Sequence, residues 1–334
     1  MAEVFRHGNQ EIFRERLEFL RNIQLIAWLR PYSRTWFPGG IPDLFTRELH
    51  AVVHHSAHGW GEIIQKVRQD LWETGVGSDI FNDSDPFGML IRAEAKRQHE
   101  HDMYVASVAR AHPVGINDLK LRDLLKLPQR PKVERIDYVK RFTKEMEGQL
   151  NEHGDKRLGR TDKIASSWAH DTLDHVQAID GLGGNPILST YKSLGIPVDV
   201  LDPEMTIGEI GELVIYATRL KAAGAKLNPP VEVGIKAVPI GTLPSYVLER
   251  KLASFQGKAD RVSGSDFGDS YIAPLIFYSD GVEVDKRTFH YLENIRRSDP
   301  NLADLMRPFF RSTDYLEIPQ HFDDISEGEC DGET

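Results

Sequence analysis

The stretch from Ser263 to Thr288 constrains the fold most, because it contains signals for a helix, a turn and a strand in succession. Ser265 or Asp266 can cap a short apolar helix, which we expect over Asp269–Phe277. An Asp-Gly turn follows the helix, and Val282–Val284 then alternates in the manner of a β-strand. A helix that leads through a turn into a strand is typical of an α/β protein.

Carboxylates stand at both edges of this stretch. Asp285 follows the predicted strand, and open α/β sheets bind ligands at the carboxyl ends of their strands. Asp266 and Asp269 lie at the start of the predicted helix, whose N-terminus commonly faces the same edge of such a sheet. The three carboxylates can therefore converge on one cation. A structural interpretation stays open, in which Asp266 only caps a helix and Asp285 only ends a strand.

The residues from Ser265 to Thr288 form the pattern SDxxD, an apolar helix and then YxDxxxVDKRT, which resembles the C-terminal half of PIN-like nucleases. The likeness is to the larger bacterial PIN-like proteins, and it covers roughly Arg16–His58 and Val231–Ile318. It implies a metal-dependent nuclease that acts on RNA rather than DNA and has an acid-lined site for Mg²⁺ or Mn²⁺. The implied ligands are Asp269 and Asp285 first, with Asp266 and Glu48 as secondary ligands.

Glu48 belongs to a helix that we expect to begin near Pro42 and to turn Phe45 and Leu49 inward. PIN-like proteins present an acidic ligand on the helix after their second strand, and Glu48 is the matching position. A second interpretation stays open, in which the negative charge of Glu48 only stabilises its helix, because acids in the N-terminal half interact favourably with the helix macrodipole. Lys286 and Arg287 lie beside the proposed metal edge, where they would contact the phosphates of a nucleic acid.

One part of the PIN-like pattern is missing. Those sites also use an Asp at the end of the first strand, and this chain has no Asp before Asp43. Three explanations are open: a chain shortened at its N-terminus, a second copy or another partner that completes the site, or a degenerate nuclease. The competing function is a non-catalytic helical interaction protein, whose acids serve as helix caps.

The whole chain predicts an α/β protein that is predominantly helical, with a small parallel sheet of PIN-like type and a large helical insertion. Residues 1–60 and 228–320 are the predicted core, residues 61–227 the insertion and residues 321–334 a disordered acidic tail. An amphipathic helix is expected over Glu11–Leu29 and another over Asn301–Phe309. The sheet is expected to contain Trp36–Pro38, Val231–Ile240, Val282–Val284 and Tyr315–Ile318.

Composition excludes several classes of protein. The single cysteine, Cys330, rules out a disulfide framework and a cysteine-based zinc site, which favours the reducing cytoplasm. No apolar run is long enough to span a membrane, so no membrane partner is expected. The net charge is −10, but seven acids and no Lys or Arg follow from Glu317 onward. Global acidity therefore argues only weakly against a nucleic-acid partner.

Four histidines, at positions 50, 54, 55 and 58, lie close together in the sequence. His50 and His54 have the i, i+4 spacing of a zincin helix, but Ala51 stands where that motif needs Glu. We expect solvated histidines at the edge of the core. Assistance to a site near Glu48 stays open, because the same helix is expected to carry them.

Overall fold

The computed structural model describes residues 10–22, 24, 26–32, 39–76, 118–126, 140, 143–148, 150–151, 161–167, 185–256, 272–312, 317 and 320. The chain divides into two compact units, each made of two separate segments. Unit 1 consists of Met1–Gln24 and Val76–Arg219, and unit 2 consists of Leu25–Gly75 and Leu220–Thr334. The predicted domain boundaries after residues 60 and 227 stay a prediction, and the predicted tail at 321–334 lies outside the described residues.

Helices predominate in the described part of the chain. The elements in chain order are α1 Gln10–Arg21, β1 Ile26–Leu29, α2 Ile41–His55, α3 Trp60–Leu71, β2 Trp72–Gly75, α4 Leu121–Leu125, α5 Pro186–Ser193, α6 Ile207–Gly224, α7 Pro244–Gln256, β3 Val282–Glu283, α8 Lys286–Ser298, α9 Pro300–Ala303 and β4 Phe309–Phe310. Short 3-10 helices cover Val198–Val200 and Ala273–Phe277. The mixed α/β class with a helical majority is therefore confirmed.

Unit 1 is helical in its described part. The first turn of α4 is held by the loop before α6, because the Leu121 N–H donates to the Met205 carbonyl at 2.8 Å. A single antiparallel bridge joins Lys120 to Thr206 beside that bond. A small separate core contains Met146, Leu150, Ile164 and Ala165.

In its described residues, unit 2 contains two sheets of two strands each. β1 pairs with β2 antiparallel, and β3 pairs with β4 parallel, with Val282 opposite Phe309. The helix predicted over Glu11–Leu29 is too long, because α1 ends at Arg21 and β1 follows. The apolar residues of Ile26–Leu29 fit the helical spacing, but pairing with β2 decides their conformation.

The strand predicted over Val231–Ile240 is wrong, and no such strand joins β3. Its apolar residues Val233, Ile235 and Val238 are buried, as their alternation predicts. The backbone, however, hydrogen-bonds within turns: the Val238 N–H donates to the Gly234 carbonyl at 3.1 Å. A loop that covers the core thus buries the alternating apolar side chains. This burial does not require a neighbouring strand.

The remaining sheet predictions have different outcomes. Val282–Val284 is confirmed as the location of β3. The partner of β3 is β4, which begins at Phe309, the last residue of the helix predicted over Asn301–Phe309. The helix is shorter than predicted: α9 ends at Ala303, and the Arg307 N–H donates to the Ile276 carbonyl at 3.0 Å rather than to a carbonyl within a helix. Trp36–Pro38 lies outside the described residues, as does Tyr315–Ile318 apart from Glu317.

The core of unit 2 fixes the position of the β3–α8 junction. Fully buried side chains come from α2, α3, α7, α8 and the 3-10 helix at Ala273–Phe277; they include Leu44, Ile63, Leu248, Ile276 and Leu292. Val282 and Val284 pack into the same cluster from either side of Glu283. Within the described residues, no helix combines the length and apolarity that crossing a bilayer requires.

Candidate functional site

The β3–α8 junction places a carboxylate directly after a parallel strand pair. The Val284 N–H donates to the Phe310 carbonyl at 3.0 Å and completes the pairing of β3 with β4. Asp285 is the N-cap of α8, and its Oδ1 accepts the Thr288 N–H at 2.7 Å. Asp285 thus ends a strand and caps a helix, and its side chain stays exposed at the surface.

An open cleft of about 430 Å³ lies at this junction. It is lined by Ile272, Glu283, Val284, Asp285, Lys286, Arg311 and Ser312. The residues that follow β3 and those that follow β4 form it together. This is the carboxyl edge of the parallel pair, where ligand sites of α/β proteins are commonly found.

Glu283 and Ser312 are tied together at the cleft. The Ser312 N–H donates to Glu283 Oε1 at 3.0 Å, and the Ser312 Oγ–H donates to Glu283 Oε2 at 2.7 Å. One serine therefore holds both oxygens of one carboxylate. The pair is only partly buried, so the carboxylate also borders solvent in the cleft.

The cleft also contains two positively charged side chains. Lys286 and Arg311 are exposed, and neither has a carboxylate partner among the residues that the structure describes. Arg287 is exposed on the next position of α8 but does not line the cleft. Of the two predicted phosphate contacts, the structure places Lys286 at the cleft together with Asp285.

Two of the predicted ligands, Asp266 and Asp269, lie outside the described residues. The apolar helix expected over Asp269–Phe277 is present at its C-terminal end, as a 3-10 helix over Ala273–Phe277. Pro274 occupies the second position of that 3-10 helix, where its missing N–H leaves no helical hydrogen bond unmade.

Glu48 is not part of the cleft. It is 0% exposed in the core of unit 2, where three hydrogen bonds reach its carboxyl group. The Ser245 N–H donates to Oε1 at 3.0 Å, the Ser245 Oγ–H to Oε2 at 2.7 Å and the Tyr278 hydroxyl to Oε1 at 2.5 Å. Ser245 lies in the first turn of α7, whose N–H groups lack partners within their own helix. Glu48 therefore links α2 to the N-terminus of α7, which neither interpretation of its sequence position anticipated.

Burial dominates the electrostatics of Glu48. It raises the pKa of this carboxyl group to about 8, although the hydrogen bonds from Tyr278 and Ser245 act in the opposite direction. Nearby Glu249 raises that pKa further. The pKa of Tyr278 is also raised well above its usual value, first by burial and then by Glu48. A buried carboxyl group that stays neutral is a poor ligand for a metal ion, and its hydrogen bonds instead stabilise the core.

The described residues contain no group of three or more His, Cys, Asp or Glu side chains placed to hold one metal ion. Asp285 and Lys286, which are consecutive in the sequence, both line the cleft, whereas Glu48 lies in the core of unit 2. The structure adds Glu283, Arg311 and Ser312, which the sequence did not single out. The alternation around Glu283 already predicted a side chain on the face opposite Val282 and Val284, but Arg311 and Ser312 follow a strand too short to leave a pattern.

No protein-family model, curated protein or solved structure matches this chain significantly. The resemblance to PIN-like nucleases stays a prediction.

Proposed function

We propose that this chain is a metal-dependent nuclease whose reactive centre is the open cleft at the β3–α8 junction, with RNA as its preferred substrate. One observation carries the proposal: the cleft combines two carboxylates, Glu283 and Asp285, with two cations, Lys286 and Arg311, that lack described acidic partners. A phosphodiester that binds together with a divalent cation needs both kinds of charge.

The oxygen donors of the cleft fit Mg²⁺ or Mn²⁺, which prefer carboxylate and water ligands. Asp285 uses Oδ1 for its helix cap, and no described donor contacts its Oδ2. Ser312 holds the carboxylate of Glu283 in one orientation. Asp266 and Asp269 complete the ligand set in this proposal. When bound, the metal would polarise the scissile phosphate and lower the pKa of an attacking water.

The cations have a separate role. Lys286 and Arg311 would hold the substrate phosphate, and Arg287 would contact a neighbouring phosphate along the nucleic acid. Because the guanidinium group of Arg311 is planar and has several N–H donors, it can contact two phosphate oxygens at once. A second copy or another partner would supply the acid that PIN-like sites take from their first strand. The single cysteine is consistent with a reducing, cytoplasmic setting for this activity.

One observation favours the competing function, a non-catalytic interaction protein. Asp285 and Glu48 each accept a backbone N–H in the first turn of a helix, in α8 and α7 respectively. Both acids therefore have structural roles that need no metal. Cleavage measurements separate the two functions, because an interaction protein has no metal-dependent turnover.

The test is cleavage of a labelled single-stranded RNA and of the matching DNA by the whole chain, in Mg²⁺, in Mn²⁺ and in EDTA. Asp285→Asn removes the charge, while Asn caps helices as well as Asp does, so α8 is retained. We expect its cleavage rate to fall about 100-fold, the loss expected when stabilisation of transition-state charge is weakened by a few kcal/mol.

Asp304→Asn is the matched control, because Asp304 is an exposed acid of unit 2 that does not line the cleft. It should cleave as the parent does. A rate that rises with the square of protein concentration would show that a second copy completes the site. No metal-dependent cleavage of either substrate by the parent at any concentration, or equal cleavage by parent and Asp285→Asn, would contradict the proposal.

A further inference from the structure

Three imidazole rings meet at the C-terminal end of α2. His50 is half-buried, whereas His54 and His55 are exposed. The ring centroids of His50 and His54 are 4.9 Å apart, and those of His50 and His55 are 5.0 Å apart. Tyr32 also contacts His50 edge-on, with 5.7 Å between the ring centroids. The His50 ring thus contacts one phenol ring and two further imidazoles.

The separation of His50 and His54 suits a shared metal ion. Two imidazoles that bind one zinc ion through bonds of about 2.0–2.1 Å in tetrahedral geometry have their ring centroids about 5 Å apart. The i, i+4 spacing brings both side chains to one face of the helix, as in helical zinc sites. Imidazole nitrogen favours Zn²⁺, Ni²⁺ and Cu²⁺ over Mg²⁺ and Mn²⁺.

The electrostatics of this end of α2 also favour a cation. His54 lies in the last turn, where unpaired carbonyl groups give the helix its partial negative charge. Arg47, one turn earlier on α2, is positively charged, but its guanidinium group is engaged elsewhere. Its Nη1 lies 2.8 Å from Asp70 Oδ2, and its Nη2 donates to the Arg30 and Pro31 carbonyls.

From this geometry we infer that His50 and His54 form a binding site for a borderline transition-metal dication such as Zn²⁺ or Ni²⁺, separate from the cleft at the β3–α8 junction. Two side chains supply the protein ligands, and water fills the remaining positions. The bound ion bridges two successive turns at the end of α2 and so stabilises that end of the helix. The proposed site contains no carboxylate ligand, and the water ligands of the bound ion exchange with solvent.

The test uses Zn²⁺ and Ni²⁺ alone as probes, with the whole chain, in calorimetric titrations and thermal melts at one pH near neutrality. His50→Asn and His54→Asn remove one ligand each, and Asn has a helix propensity close to that of His. We expect each variant to lose the highest-affinity site or to bind Zn²⁺ at least about tenfold more weakly. The increase in melting temperature on adding Zn²⁺ should shrink accordingly.

Two exposed histidines of the same unit serve as controls. His290→Asn, on α8, and His58→Asn, beyond the end of α2, should bind both ions with the affinity of the parent. His55→Asn should keep most of the response. Circular dichroism without metal confirms that all five variants are folded. Equal Zn²⁺ affinity in the parent and in His54→Asn would overturn the assignment, as would a loss of binding in His55→Asn alone.

Discussion

Two serine–glutamate pairs of unit 2 have the same hydrogen bonds and different surroundings. In each pair one serine donates both its backbone N–H and its hydroxyl to the two oxygens of a carboxyl group. The Glu48–Ser245 pair is fully buried and also receives the hydroxyl of Tyr278. The Glu283–Ser312 pair lies at the edge of an open cleft.

The difference shows that hydrogen bonds alone do not decide the role of a carboxyl group. Burial makes the charged form of Glu48 costly, so its oxygens serve to join α2, α7 and the residues after the 3-10 helix. Water screens Glu283, so its oxygens can exchange solvent for a cation without that cost. The first pair therefore has a structural role, and the proposed nuclease function gives the second pair a role in metal binding.

The largest difference between the two pairs is expected when each glutamate is truncated. Glu48→Ala leaves two donors of Ser245 and the hydroxyl of Tyr278 without an acceptor and opens a cavity. We expect it to lower the free energy of unfolding by about 3–4 kcal/mol. Glu283→Ala should cost less than about 1 kcal/mol, because water replaces the carboxylate. Urea denaturation at constant m-value measures both, and equal losses would refute the division of roles.

The pH dependence of stability is expected to show the next largest difference. The pKa of Glu48 is about 8 in the folded chain and near 4.5 when unfolded, so folding favours its protonated form. Its contribution to stability is complete below pH 4.5 and is lost as pH rises through about 8. Relative to Glu48→Gln, which does not titrate, the parent should lose about 1 kcal/mol per pH unit between pH 5 and 8. A difference between parent and Glu48→Gln that stays constant over this range would contradict the buried-acid account.

The two serines should differ by a smaller amount. Ser245→Ala removes a hydroxyl donor from a buried carboxyl group and should cost about 1–2 kcal/mol. Ser312→Ala removes the equivalent donor at the cleft and should cost less than about 0.5 kcal/mol. Thermal or urea unfolding of the two variants side by side distinguishes them. A larger loss for Ser312→Ala would mean that the cleft pair, too, is mainly structural.

The smallest difference in stability between two compared variants is expected at Asp285. Asp285→Ala removes the side-chain cap of α8 and should cost about 1 kcal/mol, whereas Asp285→Asn should stay within about 0.5 kcal/mol of the parent. This narrow difference matters, because it allows the charge of Asp285 to be removed without loss of the helix. If Asp285→Asn unfolds as easily as Asp285→Ala, the carboxylate has a structural role beyond the cap.

Local signals predicted much of unit 2 correctly. The Asp-Gly turn and the alternation at Val282–Val284 act within a few residues, so the sequence could predict β3. The role of Asp285 as the N-cap of α8 was not predicted, because Asp285 was interpreted only as the end of a strand. The helix that begins near Pro42 is present as α2 because its apolar spacing and N-terminal proline agree.

Contacts between distant residues could not be predicted in the same way. Glu48 is separated from Ser245 by 197 positions and from Tyr278 by 230 positions, and nothing near Glu48 in the sequence indicates either contact. The alternation at Val231–Ile240 correctly predicted buried side chains, but burial does not specify a neighbouring strand. The pairing of β3 with β4 rests on two phenylalanines that also fit the end of a helix.

The most direct test of the account is the affinity of the folded chain for Mn²⁺, measured by titration for the parent, Glu48→Gln, Glu283→Gln and Asp285→Asn. Glu283→Gln and Asp285→Asn are each expected to weaken Mn²⁺ binding by about tenfold or more, because each removes a charged oxygen ligand. Glu48→Gln should bind Mn²⁺ as the parent does, since its carboxyl group lies in the core. Loss of Mn²⁺ binding in Glu48→Gln, with unchanged binding in Glu283→Gln and Asp285→Asn, would contradict the account.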